Sequence, residues 1–227
     1  GADAIYVGGK EYSLRAGAGN FSLSEMADLV DYAHRAGVRV YVAVNSLLHN
    51  EGLVGLPEYL IALEEMAVDA VIFSDPAVYA ISKKVTPRLA LHISTQSSLT
   101  NWQAIRFWEE LGIGRVILAR ELTLDEITAI RRKVKVELEA FVHGAMCISY
   151  SGRCLLSNYM VGRGANQGDC AQACRWRYAL MEEKRPGQYY PILEDEHGSY
   201  ILNSKDLNML AHLPEMAEAG VDSLKIE

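Results

Sequence analysis

Outside residues 147–174 the chain contains no cysteine, although it carries four: Cys147, Cys154, Cys170 and Cys174. It has no apolar run of the roughly 20 residues that cross a bilayer. No charged-then-apolar leader opens it. Both absences argue against a membrane protein, and the expectation is a cytoplasmic one. No strand-like run is followed by Gly-x-Gly-x-x-Gly, which weighs against a doubly wound dinucleotide fold. There is no His-Glu-x-x-His, no Gly-x-Ser-x-Gly elbow and no cysteine clear of the cluster, so the common hydrolase arrangements lack their nucleophile or metal-bound water.

What is present begins with a large apolar fraction. With 227 residues, 50% of them hydrophobic, the chain can bury a sizeable core without disulfide staples. Its net charge is −7, which by itself does not advertise nucleic-acid binding. The charge is uneven, however. Between Tyr150 and Tyr190 stand Arg153, Arg163, Arg175, Arg177, Lys184 and Arg185 against only Asp169, Glu182 and Glu183. This basic excess surrounds the thiols, either compensating an anionic group or forming a rim for phosphates.

One phrase recurs: a helix ends at a small residue and a short β-branched run follows. Ala36-Gly37-Val38 leads into Val40, Val68-Asp69-Ala70 into Val71, Gly112-Ile113-Gly114 into Val116, and Ala219-Gly220-Val221 into Leu224. Glycine just past a helix is the usual left-handed cap, and nearly continuous apolar strands suit a parallel sheet covered on both faces. Strands are expected near 3–8, 38–45, 70–74, 89–94, 115–119, 135–142 and 222–226. Between them lie amphipathic helices, one with Met26, Leu29, Val30 and Ala33 on a single face, another with Ile105, Trp108 and Leu111. Ser22 with Glu25 and Thr123 with Glu126 read as capping boxes, and Asp75-Pro76 as a cap before a first-turn proline.

Seven such repeats in a chain that opens without methionine, in mid-phrase, predict an α/β fold: a (β/α)8 TIM-like barrel lacking its first βα unit. The expected organisation is one domain over 1–227 with a Cys-rich insertion at about 144–200, and further C-terminal residues beyond Glu227. In a barrel the active site lies at the carboxyl ends of the strands. Candidate substrate contacts there are Arg15, Asn45 and Gln96. Candidate catalytic residues are His143, Glu139 and Arg120. His92 is read as a strand-end residue like His143. Glu137 and Glu139 share one side of a strand, so their like charges would either raise a carboxyl pKa or pair with Lys or Arg, pairing being the preferred reading. Arg15 and Arg120 suit a bidentate grip on a carboxylate, with a salt bridge from Arg120 to Glu121 or Asp75 as the rival. Around the insertion, Arg163, Arg175 and Trp176, with Tyr159, are candidates to contact and stack an RNA base.

The thiol spacing is C-x6-C-x15-C-x3-C. Structural zinc sites usually pair thiols two to four residues apart, and only Cys170 and Cys174 come that close. An iron–sulfur cluster tolerates looser spacing because its ligands arrive from separate turns of a loop. Zinc and disulfides remain the alternatives at this point.

Glu139, Phe141, Gly144, Ala145, Met146, Cys147, Gly152, Cys154, Leu156 and Ser157 fall in the pattern E-x-F-x2-G-[SA]-[LIVM]-C-x4-G-x-C-x-[LIVM]-S. By this pattern the chain resembles the peptidase U32 family. The opening Ala4-Ile5-Tyr6-Val7-Gly8, the Ser94-Thr95-Gln96 strand end, Ala119-Arg120-Glu121-Leu122 and the closing Ser223 to Glu227 look like it too. Members once labelled collagenase-like peptidases include oxygen-independent hydroxylation factors for tRNA and ribosomal RNA that carry a 4Fe-4S cluster. The resemblance implies that Cys147, Cys154 and Cys170, with Cys174 as the fourth, hold such a cluster. It further implies a tRNA wobble uridine or other RNA as substrate, a prephenate-like carboxylic acid as oxygen donor, and a partner subunit of the same family. Proteolysis and a non-catalytic metal scaffold are the rival functions.

Overall fold

The computed structural model describes residues 1–14, 19–147, 149–176, 179–181, 183–191 and 206–227. In chain order it contains β1 (Ala4–Gly8), α1 (Leu23–Arg35), β2 (Arg39–Val44), α2 (Leu56–Glu65), β3 (Ala70–Phe73), α3 (Pro76–Val85) and β4 (Leu91–Ile93). There follow α4 (Trp102–Glu110), β5 (Arg115–Ile117), α5 (Leu124–Arg131), β6 (Glu137–Gly144) and α6 (Leu156–Val161). The last elements are β7 (Ala179–Met181), β8 (Tyr189–Pro191), β9 (Leu207–Asn208), α7 (Leu213–Glu218) and β10 (Ser223–Ile226). All seven expected strands form.

The predicted helix starts hold because each orphan N–H finds its acceptor. Ser22 and Thr123 accept from the backbone of Glu25 and Glu126 while those carboxylates reach back, completing both capping boxes. Asp75 accepts from Ala77 N–H ahead of Pro76.

The strands pair in parallel in the order β1-β2-β3-β4-β5-β6-β10, with β9 antiparallel against β6 and β7–β8 a separate hairpin. The sheet curls as a partial TIM-like barrel. β1 and β10 are its edges among the described residues, yet the Lys225 ammonium of β10 lies 4.0 Å from the Tyr6 ring centroid of β1. The two edges therefore face each other across one interior.

Alternation along the strands sends two different sets of side chains to the two faces. Val40, Val42, Val71, Phe73, Ile93, Val116 and Leu138 face the helices and pack with Met26, Leu60, Leu63 and Ile105. Phe73, fully buried, meets the Trp108 ring edge-on at 5.5 Å. The inner face carries Tyr41, Ala70, Ile72 and Ile117 together with buried His92, Arg115, Glu139 and Lys225. The strands are thus apolar on one face and charged on the other, which the reading of near-continuous apolar runs missed. Among the described residues no helix is long and apolar enough to cross a membrane.

Candidate active site at the barrel mouth

The floor of the site is an ionic network on the inner face, buried except at Glu137. Arg115 reaches Glu137 at 2.7 Å and Glu139 at 2.9 Å, and Lys225 reaches the other Glu139 oxygen at 3.2 Å. Ser223 donates to Glu139 at 3.0 Å. The two strand carboxylates therefore find Arg and Lys partners, the preferred of the two readings. Burial works against the charge on Glu139, but Lys225 and Arg115 together hold its carboxyl below the usual 4.5. Burial lowers Lys225, and Glu139 offsets only part of that. His92 is not a strand-end residue: it sits mid-strand opposite Arg115, edge-on to Tyr41 at 4.8 Å. Burial first and the Arg115 charge second push it down to about 4.

Above this floor lies an inner cavity of about 170 Å³, walled by residues from all seven parallel strands or the residues just after them. Asn45, Gln96, Arg120, Lys225 and Glu227 supply much of its polar lining. Asn45 accepts from Leu14 N–H at 3.1 Å. The Arg120 guanidinium lies 4.0 Å from the Phe141 ring centroid and donates to Glu227 at 2.6 Å and to the Ala145 carbonyl at 3.2 Å. Its ion pair is with Glu227, not with Glu121 or Asp75, which are engaged elsewhere. Glu121 accepts from the Ser151 N–H and hydroxyl, and Asp75 from Leu48 and Ala77. Gly144 makes the pairing possible: at φ +130° it lacks a Cβ that would stand 2.6 Å from Glu227.

The chain leaves β6 over this mouth and returns as a loop bearing the thiols. Polar ties hold the loop down. Ser151 is fixed by Glu121, Arg153 donates to the Gln96 carbonyl at 2.8 Å, and Leu47 N–H donates to the Asn166 carbonyl at 3.0 Å. Asn166 in turn accepts from Cys154 N–H at 3.1 Å, and Ser157 from Ala171 N–H at 2.9 Å.

None of the four cysteines is in a disulfide, and all four line one outer cavity of about 500 Å³. Leu156 N–H donates to the Cys154 sulfur and Gln172 N–H to the Cys170 sulfur, both at 3.3 Å. Hydrogen bonds to ligating sulfurs are one of the means by which a protein tunes a bound iron–sulfur cluster. Burial pushes the Cys174 thiol up, and Cys147, Cys170 and Cys154 push the same way against Arg175. Among the described residues no three His, Cys, Asp or Glu side chains form a ready single-ion site. Gln96, Thr95, Arg120, Glu227 and Leu14 line both cavities. One layer of side chains is thus both the roof of the inner chamber and the floor of the outer one.

The other candidates fall in several places. Arg163 and Arg175 line the outer cavity, with Arg163 paired to Asp169 at 2.6 Å. Trp176 and Tyr159 are exposed beside it in the chain. Glu139 belongs to the floor. His143 is exposed on β6 and lines neither cavity. Arg15 lies outside the described residues, as do Arg177 and Glu182 of the basic stretch. Sequence reasoning passed over Lys225, Glu227, Arg115 and Tyr6. The signal was there in Ser223, Lys225 and Glu227, polar at every second position of a strand.

The family model for peptidase family U32 matches residues 1–227. Over its whole length the chain is 44% identical to tRNA hydroxylation protein P1 of Bacillus subtilis, covering 54% of that protein. It is 40% identical to tRNA hydroxylation protein P of Escherichia coli, again over its whole length and 59% of the relative. The chain therefore spans a little over half the length of these curated relatives. Among solved structures, that of the U32 peptidase Mk0906 superposes on 63% of this chain and 62% of its own, with a TM-score of 0.54 at 22% identity.

Proposed function

The chain belongs to peptidase family U32, and from that premise we propose that it serves hydroxylation of a pyrimidine in RNA, the wobble uridine of tRNA in particular. The observation that carries this reading is the gathering of four thiols around one cavity that shares Gln96, Arg120 and Glu227 with the chamber at the strand ends. Relatives named for tRNA hydroxylation support it. In this reading Cys147, Cys154, Cys170 and Cys174 hold a 4Fe-4S cluster. The donor set fits: thiols from separate turns of one stretch, two of them receiving backbone N–H bonds, all lining one cavity. Zinc, which thiolates also bind, is the runner-up. When bound, the cluster would supply redox-active, Lewis-acidic iron.

The chain's own residues do the rest. Arg163 and Arg175 at the outer rim attract the RNA backbone, and Trp176 and Tyr159 offer rings for stacking a displaced base. Arg120 and Gln96, common to both chambers, stand between the base and a small hydroxylated carboxylic acid. The hydroxyl leaves the donor carbon and replaces hydrogen at C5. The base is oxidised by two electrons and the donor carbon reduced by two as it takes up hydrogen, so that molecular oxygen is not needed. Such a protein works in the cytoplasm, where its RNA substrate is.

Nucleoside mass spectrometry of tRNA from a deletion strain tests this. The expected result is loss of 5-hydroxyuridine and its derivatives, restored by the wild-type gene and not by Cys147→Ser. Unchanged 5-hydroxyuridine, with peptide cleavage by the purified protein, would turn the reading to a peptidase.

A further inference from the structure

We propose that the barrel wall itself sets the first thiol: Glu227 positions the Arg120 guanidinium, Arg120 holds the Ala145 carbonyl, and Ala145 places Cys147 two residues further on. Cys154, Cys170 and Cys174 are set by the loop. The inference rests on the reading that these thiols hold a cluster for its meaning, but its first test needs no cluster.

The chain must turn out of β6 before it reaches Cys147, and two other strand ends fix that turn. Glu227, just past β10, donates its N–H to the His143 carbonyl at 3.0 Å. Its carboxylate accepts from one Arg120 nitrogen at 2.6 Å, while a second nitrogen of the same guanidinium donates to the Ala145 carbonyl at 3.2 Å. The guanidinium also lies 4.0 Å from the Phe141 ring centroid. Both side chains of the pair are largely buried, 14% and 13% exposed, so water competes little for their bonds. Gly144 lets the two meet, because a Cβ at that position would stand 2.6 Å from the Glu227 Cβ. Carboxylate, ring face and glycine together hold the guanidinium in one orientation, and Ala145 with it.

The ties beside the other thiols come from within the loop. Cys154 N–H goes to Asn166, Ala171 N–H, next to Cys170, goes to Ser157, and Arg175 N–H, next to Cys174, goes to the Gln172 carbonyl at 2.8 Å. Those bonds join neutral groups, whereas both bonds of Arg120 are charge-assisted and roughly twice as strong. Cys147 therefore stands in place before iron arrives, and the other three close on it.

In the test, the intact protein is stripped of metal, kept reduced without air and alkylated with iodoacetamide, each of the four cysteines being followed by peptide mass spectrometry. Glu227→Gln should speed alkylation of Cys147 about tenfold, the change that follows loss of one charge-assisted hydrogen bond, and leave the other three as they were. The Arg120→Met/Glu227→Gln double variant leaves the local net charge unchanged and strands no partly buried cation. The same acceleration there reports release of the chain, not a charge effect on the thiol or a failure to fold. The urea midpoint should stay constant in both variants. After reconstitution with iron and sulfide, Glu227→Gln should also shift the reduction potential, because charge and hydrogen bonds near the ligating sulfurs set it. Unchanged alkylation of Cys147, equal acceleration at all four cysteines, acceleration matched by a fallen urea midpoint, or an unshifted potential would each overturn the assignment. A wild-type protein that takes up no cluster would sink the cluster reading instead, with the alkylation result still deciding what Glu227 does.

Discussion

The barrel wall and the thiol loop are held together in opposite ways. In the wall, neighbouring strands exchange backbone hydrogen bonds, one face is sealed by helices, and the other is closed by the Arg115–Glu139–Lys225 network. In the loop, among the described residues of 145–176, the buried apolar side chains are the small Ala165 and Ala173, whereas Tyr150, Leu155, Tyr159 and Trp176 are exposed. A segment with so little apolar burial sits at the low-stability end of a fold. Its geometry depends on a few polar ties and, in the proposed function, on what its thiols bind. This contrast predicts a wall that keeps its shape without the loop and a loop whose shape depends on the wall and, in the proposed function, on its ligand.

The sharpest way to break this contrast is to remove a thiol. Cys154→Ser should reduce tRNA hydroxylation to background and lower iron and sulfide content, because the sequence holds no fifth cysteine to replace it. Urea denaturation of the metal-free protein should be almost unchanged, because Cys154 adds little to the core. A large loss of stability there would mean that loop and wall share one core. The opposite intervention is Arg115→Met. It leaves Glu139, whose side chain is 5% exposed, short of one of its two cations, and should destabilise folding by about 3–5 kcal/mol in the same assay. In the loop, breaking the half-exposed Arg163–Asp169 pair with Arg163→Ala should cost less than about 1 kcal/mol.

The same division decides what was legible in the sequence. The seven strands and the helix starts could be read because local chemistry dictates them: β-branched runs behind Gly37 and Gly220, and Ser22 or Thr123 three residues ahead of a glutamate. The thiols could be read because four cysteines in one stretch are improbable as core filler. What escaped were residues whose meaning is three-dimensional. Lys225 belongs to β10 and Tyr6 to β1, and only curling of the sheet brings them within 4.0 Å. Arg120 was legible as a cation at a strand end, but its partner Glu227 comes from 107 positions away, past a glycine that leaves room for it. The sequence also could not tell that His92 lies below the mouth, because the length of β4 is set by its pairing with β3 and β5.

His92 gives the next test of the wall. Its ring titrates near 6.5 in an unfolded chain and is held at about 4 in the folded one. Between those values the unfolded state binds a proton that the native state refuses, so stability falls as the pH is lowered through this window, by about 3 kcal/mol in all. His92→Phe should flatten the urea-midpoint profile between pH 6.5 and 4. Glu139 acts lower: its depressed carboxyl contributes fully above about 4.5 and loses that contribution as the pH falls through its folded value. That lower limb should persist in His92→Phe and shrink in Glu139→Gln. A profile that stays steep above pH 4.5 in His92→Phe would move the wall's acid sensitivity to another group.

The smallest effect on stability is expected where loop meets wall. Glu121 is exposed, yet its two oxygens hold the Ser151 N–H at 2.6 Å and hydroxyl at 2.7 Å, at the turn between Cys147 and Cys154. Glu121→Gln keeps the size and one acceptor oxygen but loses the charge that strengthens both bonds. At an exposed tie this costs about 1 kcal/mol or less, barely visible in urea. The loop has no core to absorb the change, so the displacement falls on the sulfurs. Residues that orient metal ligands typically cost about 10–100-fold in affinity or activity when altered. Glu121→Gln should therefore lower cluster retention and tRNA hydroxylation by about tenfold at nearly constant folding stability. Equal losses in both measurements would make Glu121 part of the wall's own stability, and the boundary between the two regions would have to move to the far side of Ser151.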